Sequence, residues 1–308
     1  MTDRPGRDVP VVLTPSEALF AATVAVAALL GFLGNRPVGA FLGWVSVYTV
    51  ALVLLSVAVI RVLRLDPRLG RGLADVSLTF CVYGALTLLL APFGARAIDG
   101  TLWRAETWLF GRTLVEMAEP FVSPRLTVLF SAIYSVHVPL FLFPAAIHWW
   151  SGRQLRAERL LLTLALAMYL GFAGYALFPA YGPVGAMTGL RPIGDNAATD
   201  LVAAYGVALG TFPSLHAGIS AAVAIDGWRT SRRWGLFYTA IAAAIWLSTI
   251  YLRYHWLLDL LAGLALAAFC TWLSGRVLAL WPRLTAARPS LAVARQTSPI
   301  PAEGAAGE

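Results

Sequence analysis

Leu160-Leu-Leu-Thr-Leu-Ala-Leu-Ala-Met-Tyr-Leu-Gly-Phe-Ala-Gly-Tyr-Ala-Leu-Phe-Pro-Ala180 runs for 21 residues without a charged side chain. At 1.5 Å per residue a helix of that length reaches about 30 Å, the thickness of a bilayer's hydrocarbon core. The run is the middle of a span read at about 158–180, and similar stretches lie on both sides of it. Eight spans are predicted in all: about 16–34, 38–60, 75–95, 126–150, 158–180, 211–228, 234–252 and 255–275. The sixth is the shortest and is interrupted by His216 and Asp226. Composition agrees with this reading. Only 13% of the 308 residues are charged, against about 25% in soluble domains, and mean hydropathy is +0.73. The expected fold is an all-α polytopic membrane bundle of about eight helices. The first span follows Arg4 and Arg7, but it is longer than a signal-peptide core, so a retained helix is expected.

Charge sets the orientation. The net charge of +7 rests on 23 arginines and no lysine. They form no basic patch or tail of the kind that binds nucleic acid. With eight spans, 16 of them, including Arg61, Arg64, Arg153, Arg156, Arg229 and Arg276, fall on one side. Seven fall on the other: Arg36, Arg96, Arg104, Arg112, Arg125, Arg191 and Arg253. The positive-inside rule then puts both termini in the cytoplasm and residues 180–210 outside. The chain divides into 1–74 with two spans, 75–283 as the membrane core, and a disordered tail at 284–308. Cys81 and Cys270 lie within spans and read as small buried hydrophobes. Residues 96–124 alternate apolar Ile98, Leu102, Trp103, Leu109 and Phe110 with polar Asp99, Arg104, Glu106 and Arg112. That pattern suits an amphipathic helix in the interface, with Trp103 and Trp108 at headgroup level.

Two short segments carry the chemistry: Phe212-Pro-Ser-Leu-His216 and Tyr251-Leu-Arg-Tyr-His-Trp-Leu-Leu-Asp259. His255 and Asp259 are four residues apart, one turn on a common helix face. A carboxylate there fixes the tautomer of the imidazole and leaves its other nitrogen free. The same pair would also serve as a hydrogen-bonded lock between helices. Ser214 is a candidate N-cap, and the amides of such a helix start attract phosphate, with His216 in the first turn. Arg253 offers a planar fork to phosphate oxygens, or else snorkels to headgroups.

Pro-Ser-x-His followed by Tyr-Leu-x-x-His-x-x-x-Asp resembles the second and third motifs of the type 2 phosphatidic acid phosphatase superfamily. The variant is similar to the inositol phosphorylceramide synthase-like branch, over roughly residues 126–280, and the resemblance implies a six-helix core made of spans three to eight. By this resemblance His255 is the nucleophile that forms a phosphohistidine, Asp259 orients it, and His216 is general acid and then base. Ser214, Arg253 and the turn amides hold phosphate oxygens, and no metal or cofactor is needed. The implied substrate is a lipid phosphoester at the extracytoplasmic face, with a lipid alcohol as a possible acceptor for a phospho-headgroup such as phosphoinositol. A polyprenyl- or phospholipid-phosphate phosphatase is the alternative within the superfamily. Two departures stand out: Ser248-Thr249 replace the family's Ser-Arg, and the first motif's lysine is absent. Arg191-Pro192 and the Pro179-Ala-Tyr-Gly-Pro183 turn are the candidates for that region, Arg191 being taken as a phosphate ligand.

Of the remaining polar residues, His137 is expected to bond between helices or to support the site, and His148 to belong to an interfacial aromatic belt. Asp226 and Arg229 are expected to pair. A proton-coupled transporter would place its polar residues near the midplane rather than at one face. A metal hydrolase using His216, His255 and Asp259, or a non-catalytic scaffold, are the other classes.

Overall fold

A computed structural model describes residues 14–63, 96–205 and 210–286. The predicted third span at 75–95, Cys81 and residues 287–308 of the predicted tail lie outside these. Helix α1 (Pro15–Leu33) starts at a capping box: Thr14 accepts the Glu17 amide and Glu17 accepts the Thr14 amide. A turn through Asn35, at φ +54°, leads to α2 (Val38–Leu63). Phe32, Leu33, Val47 and Leu54 on these helices are well exposed, as lipid-facing side chains would be.

The amphipathic segment becomes α3 (Asp99–Phe110) and α4 (Leu114–Ala118). Then follow α5 (Pro124–Ser135), α6 (Phe143–Trp150), α7 (Gln154–Leu177), α8 (Ala197–Tyr205), α9 (Leu215–Thr230), α10 (Arg232–Tyr251) and α11 (Leu257–Ala286). Helix α7 is the hub of the bundle. It is buried without a break from Leu160 to Tyr169, which explains why it is apolar on every face. Helix α9 packs on α7, α10 and α11.

Five described helices are long and apolar enough to cross a membrane: α1, α2, α7, α10 and α11. The two remaining predictions change. The fourth span, expected as one helix over 126–150, breaks at 136–142 into α5 and α6. Pro139 and Pro144 lack the amide hydrogens that a continuous helix needs there. The sixth begins only at Leu215 and has 16 residues, about 24 Å of helix against the ~30 Å of a hydrocarbon core. By itself α9 is too short to span that core.

Candidate active site

Three chain segments converge at the N-terminal end of α9. Ser214, in extended conformation, caps the helix by accepting the Ala217 amide at 3.2 Å. Its own amide donates to the Asp259 carbonyl at 3.0 Å, tying α9 to α11. The helices cross closely at Gly218 and Gly263, where a Cβ on Gly263 would collide with the Ser214 carbonyl. Helix α10 ends with the Tyr254 amide on the Thr249 carbonyl and the Arg253 amide on the Ile250 carbonyl, the Schellman pattern. Arg253 takes its left-handed position, φ +65°, where glycine is usual.

His255 lies in the turn before α11, which starts two residues later than a common His255–Asp259 helix face requires. The pair forms by another route. Asp259 is the third residue of α11 and reaches back to accept the Trp256 amide at 3.0 Å. The same oxygen, Oδ2, faces His255 Nδ1 at 3.2 Å. His255 Nε2 then points at His216 Nδ1, 3.3 Å away. With the His255 proton on Nδ1, a lone pair on Nε2 faces His216. His255 and Asp259 are 3% and 0% exposed. His216 is partly exposed, and its ring lies against Tyr134 at 4.4 Å and His137 at 4.2 Å between centroids. His137 is thus a neighbour of the site.

Helix α3 supplies two acids that support this turn. Asp99, Leu102 and Glu106, at spacing i, i+3, i+7, are its buried residues, while Trp103 and Trp108 are exposed. Asp99 accepts the Tyr181 and Gly182 amides at 2.9 Å each and the Trp256 indole N–H at 3.0 Å. Glu106 accepts the Leu114 amide at 3.1 Å and the first amide of α11, from Leu257. The two acids read from the sequence as a solvated face therefore point inward. The unpaired amides of a helix start and a tight turn are better partners than a headgroup region. Burial pushes the Glu106 carboxyl above its ordinary range, and its backbone hydrogen bonds oppose this. The matching i, i+7 acids were the one sequence signal for this role.

The sequence profile of the PAP2 superfamily matches residues 100–273, more than half of the chain and including both histidine segments. The chain belongs to the PAP2 superfamily. Its long apolar helices are those of a polytopic helical membrane protein. A PA-phosphatase related-family protein of Dictyostelium discoideum is 38% identical over 61 residues, which cover 20% of this chain and 11% of that relative. The chain thus matches about a tenth of the relative's length. No solved structure matches.

The two arginines read as phosphate ligands in this PAP2 chain meet at one carboxylate. Arg253 donates its guanidinium to Glu119, and Glu119 Oε2 also accepts the Arg191 backbone amide at 3.1 Å. The Pro179–Pro183 turn lies against the same region: Thr211 Oγ1 donates to the Ala180 carbonyl and the Val184 amide to the Arg253 carbonyl. Gly182, at φ +77°, passes so close to the Tyr254 carbonyl that a side chain there would clash. Ser248 and Thr249, which stand in place of Ser-Arg, are fully buried and donate their hydroxyls to carbonyls of their own helix.

At the far end of α9 one expectation changes. His148 is buried, not part of an interfacial belt, and its Nε2 meets Asp226 Oδ2 at 2.5 Å. Asp226 also interacts electrostatically with Arg229. The pair joins α6 to α9 about 15 Å along the helix from His216.

Proposed function

We propose that the protein transfers phosphoryl groups or phospho-headgroups from lipid phosphoesters, with His255 as nucleophile. The observation that carries this is the order Asp259–His255–His216, with contacts of 3.2 and 3.3 Å. Asp259 fixes the His255 tautomer, and Nε2 attacks phosphorus while the bond to the leaving alcohol breaks. His216 protonates that alcohol's oxygen. It then takes a proton from the acceptor hydroxyl, which attacks the phosphohistidine and frees His255. The phosphorus takes its place beside the two facing nitrogens, where the N-terminus of α9 favours negative charge.

The arginine distribution supports an extracytoplasmic site with both termini in the cytoplasm. Ser248-Thr249 and the lack of lysine support transfer to a lipid hydroxyl, as in the inositol phosphorylceramide synthase-like branch, over hydrolysis of phosphatidate. Ser214 and the arginines near Glu119 are the candidate phosphate holders. The test is to incubate purified protein with radiolabelled lipid phosphoesters, with and without acceptor alcohols, and to follow free phosphate against transferred headgroup. A denaturing quench at alkaline pH should trap a base-stable, acid-labile phosphohistidine, absent from His255→Ala. Normal turnover by that variant rules the mechanism out.

A further inference from the structure

The break between α5 and α6 leaves a groove of about 290 Å³ against α10. Val136, Leu140 and Ile147 line one side, and Ile241, Phe237 and Trp234 the other. Phe143 and Phe237 in its lining are 61% and 53% exposed, so the groove is open along the surface of the apolar bundle. One end adjoins the site: Val136 is followed by His137, whose ring lies 4.2 Å from that of His216. The other end, at Ile147 and Trp234, lies beside the His148–Asp226 pair.

Its dimensions limit what can fill it. Trp234 to Ile241 is seven residues along α10, about 10 Å, so 290 Å³ corresponds to a cross-section of roughly 28 Å². A helix with its side chains is about 10–12 Å across and does not fit. A single extended hydrocarbon chain does.

We infer that this groove receives one hydrocarbon chain of the phosphoester whose phosphorus lies at His216 and His255, and that Trp234 limits its length. The inference rests on the proposed function for the position of the phosphorus. The chain leaves the site past Val136, runs along Ile241 and Phe237, and stops at Trp234, which stacks on Tyr238 at 5.5 Å. A helical segment without the 136–142 break would offer no such path.

The test uses the full chain in nanodiscs with phosphatidic acid carrying a diazirine at different depths of one acyl chain. Irradiation should label residues 136–147 and 234–241, the deepest probes reaching Trp234. Ile241→Trp narrows the groove without touching the histidines and should abolish that labelling. A chain shut out of the groove stays among the lipid tails, so the loss is one of alignment at the histidines, and long-chain turnover should fall by up to about 100-fold. Turnover of a short-chain phosphoester stays unchanged. Trp234→Ala should shift the preferred chain length upward, which keeps the inference testable if Ile241→Trp folds poorly. Labelling spread equally over the lipid-facing sides of α1 and α2, or equal losses for long and short chains, overturns it. Labelling needs no turnover: groove labelling in an inactive protein refutes the catalytic reading alone, and an active protein labelled elsewhere refutes the groove.

Discussion

Gly263→Ala tests whether backbone contact between α9 and α11 sets the histidine geometry. The added Cβ would meet the Ser214 carbonyl and stand 2.9 Å from Ala217 Cβ and 3.0 Å from the Gly218 amide nitrogen. All three belong to the rigid start of α9, so no side chain can swing aside. Restoring ordinary contact from 2.9 Å needs about half an ångström, and the carbonyl clash more, so the helices separate by roughly 1 Å. His216 adjoins Ala217, and His255 precedes α11 by two residues, so their 3.3 Å contact opens beyond hydrogen-bond reach. Overpacking of this kind costs about 1–3 kcal/mol, and a misplacement of 1 Å costs on the order of 100-fold in turnover. The assay is thermal unfolding in detergent together with turnover of a short-chain phosphoester, which leaves chain binding out of the measurement. A variant that melts and turns over like the parent would refute the idea that this crossing positions the two rings.

Asp259→Asn should leave the protein folded and lower turnover by roughly ten-thousand-fold, the cost of losing the charge and tautomer control behind a catalytic imidazole, measured on the same short-chain phosphoester. Arg253→Gly and Arg253→Ala both lose the Glu119 ion pair, but only glycine accepts φ +65° without strain, so the glycine variant should be the more stable by about 1 kcal/mol in a denaturant or thermal titration. Glu106 is a carboxyl raised by burial, so its contribution to stability is full below its unfolded pKa and is lost as pH rises through its folded pKa. Glu106→Gln keeps an acceptor for the Leu257 amide and removes that titration. The parent should therefore lose stability relative to the variant between acidic and neutral pH, and parallel melting curves across that range would contradict it.

Runs of apolar residues as long as a bilayer is thick were enough to determine helices at 15–33, 38–63, 154–177, 232–251 and 257–286, because lipid leaves the backbone no other way to satisfy its polar groups. The sparse polar residues within such runs also marked His216, His255 and Asp259, since an ionisable group in a span is costly unless it is used. Partners remote in sequence were decided only by tertiary structure. Beyond their i, i+7 spacing, nothing local says that Asp99 and Glu106 turn inward, because most of their hydrogen-bonded amides are 82, 83 and 151 residues away. Glu119 with Arg253 and His148 with Asp226 are likewise contacts between helices, 134 and 78 residues apart. Even the His255–Asp259 pair, predicted from spacing on one helix, forms in the structure because a first-turn acid reaches back to a turn. Periodicity reports which residues can share a face, whereas the choice of partner follows from which buried amides and charges the packed bundle leaves to be satisfied.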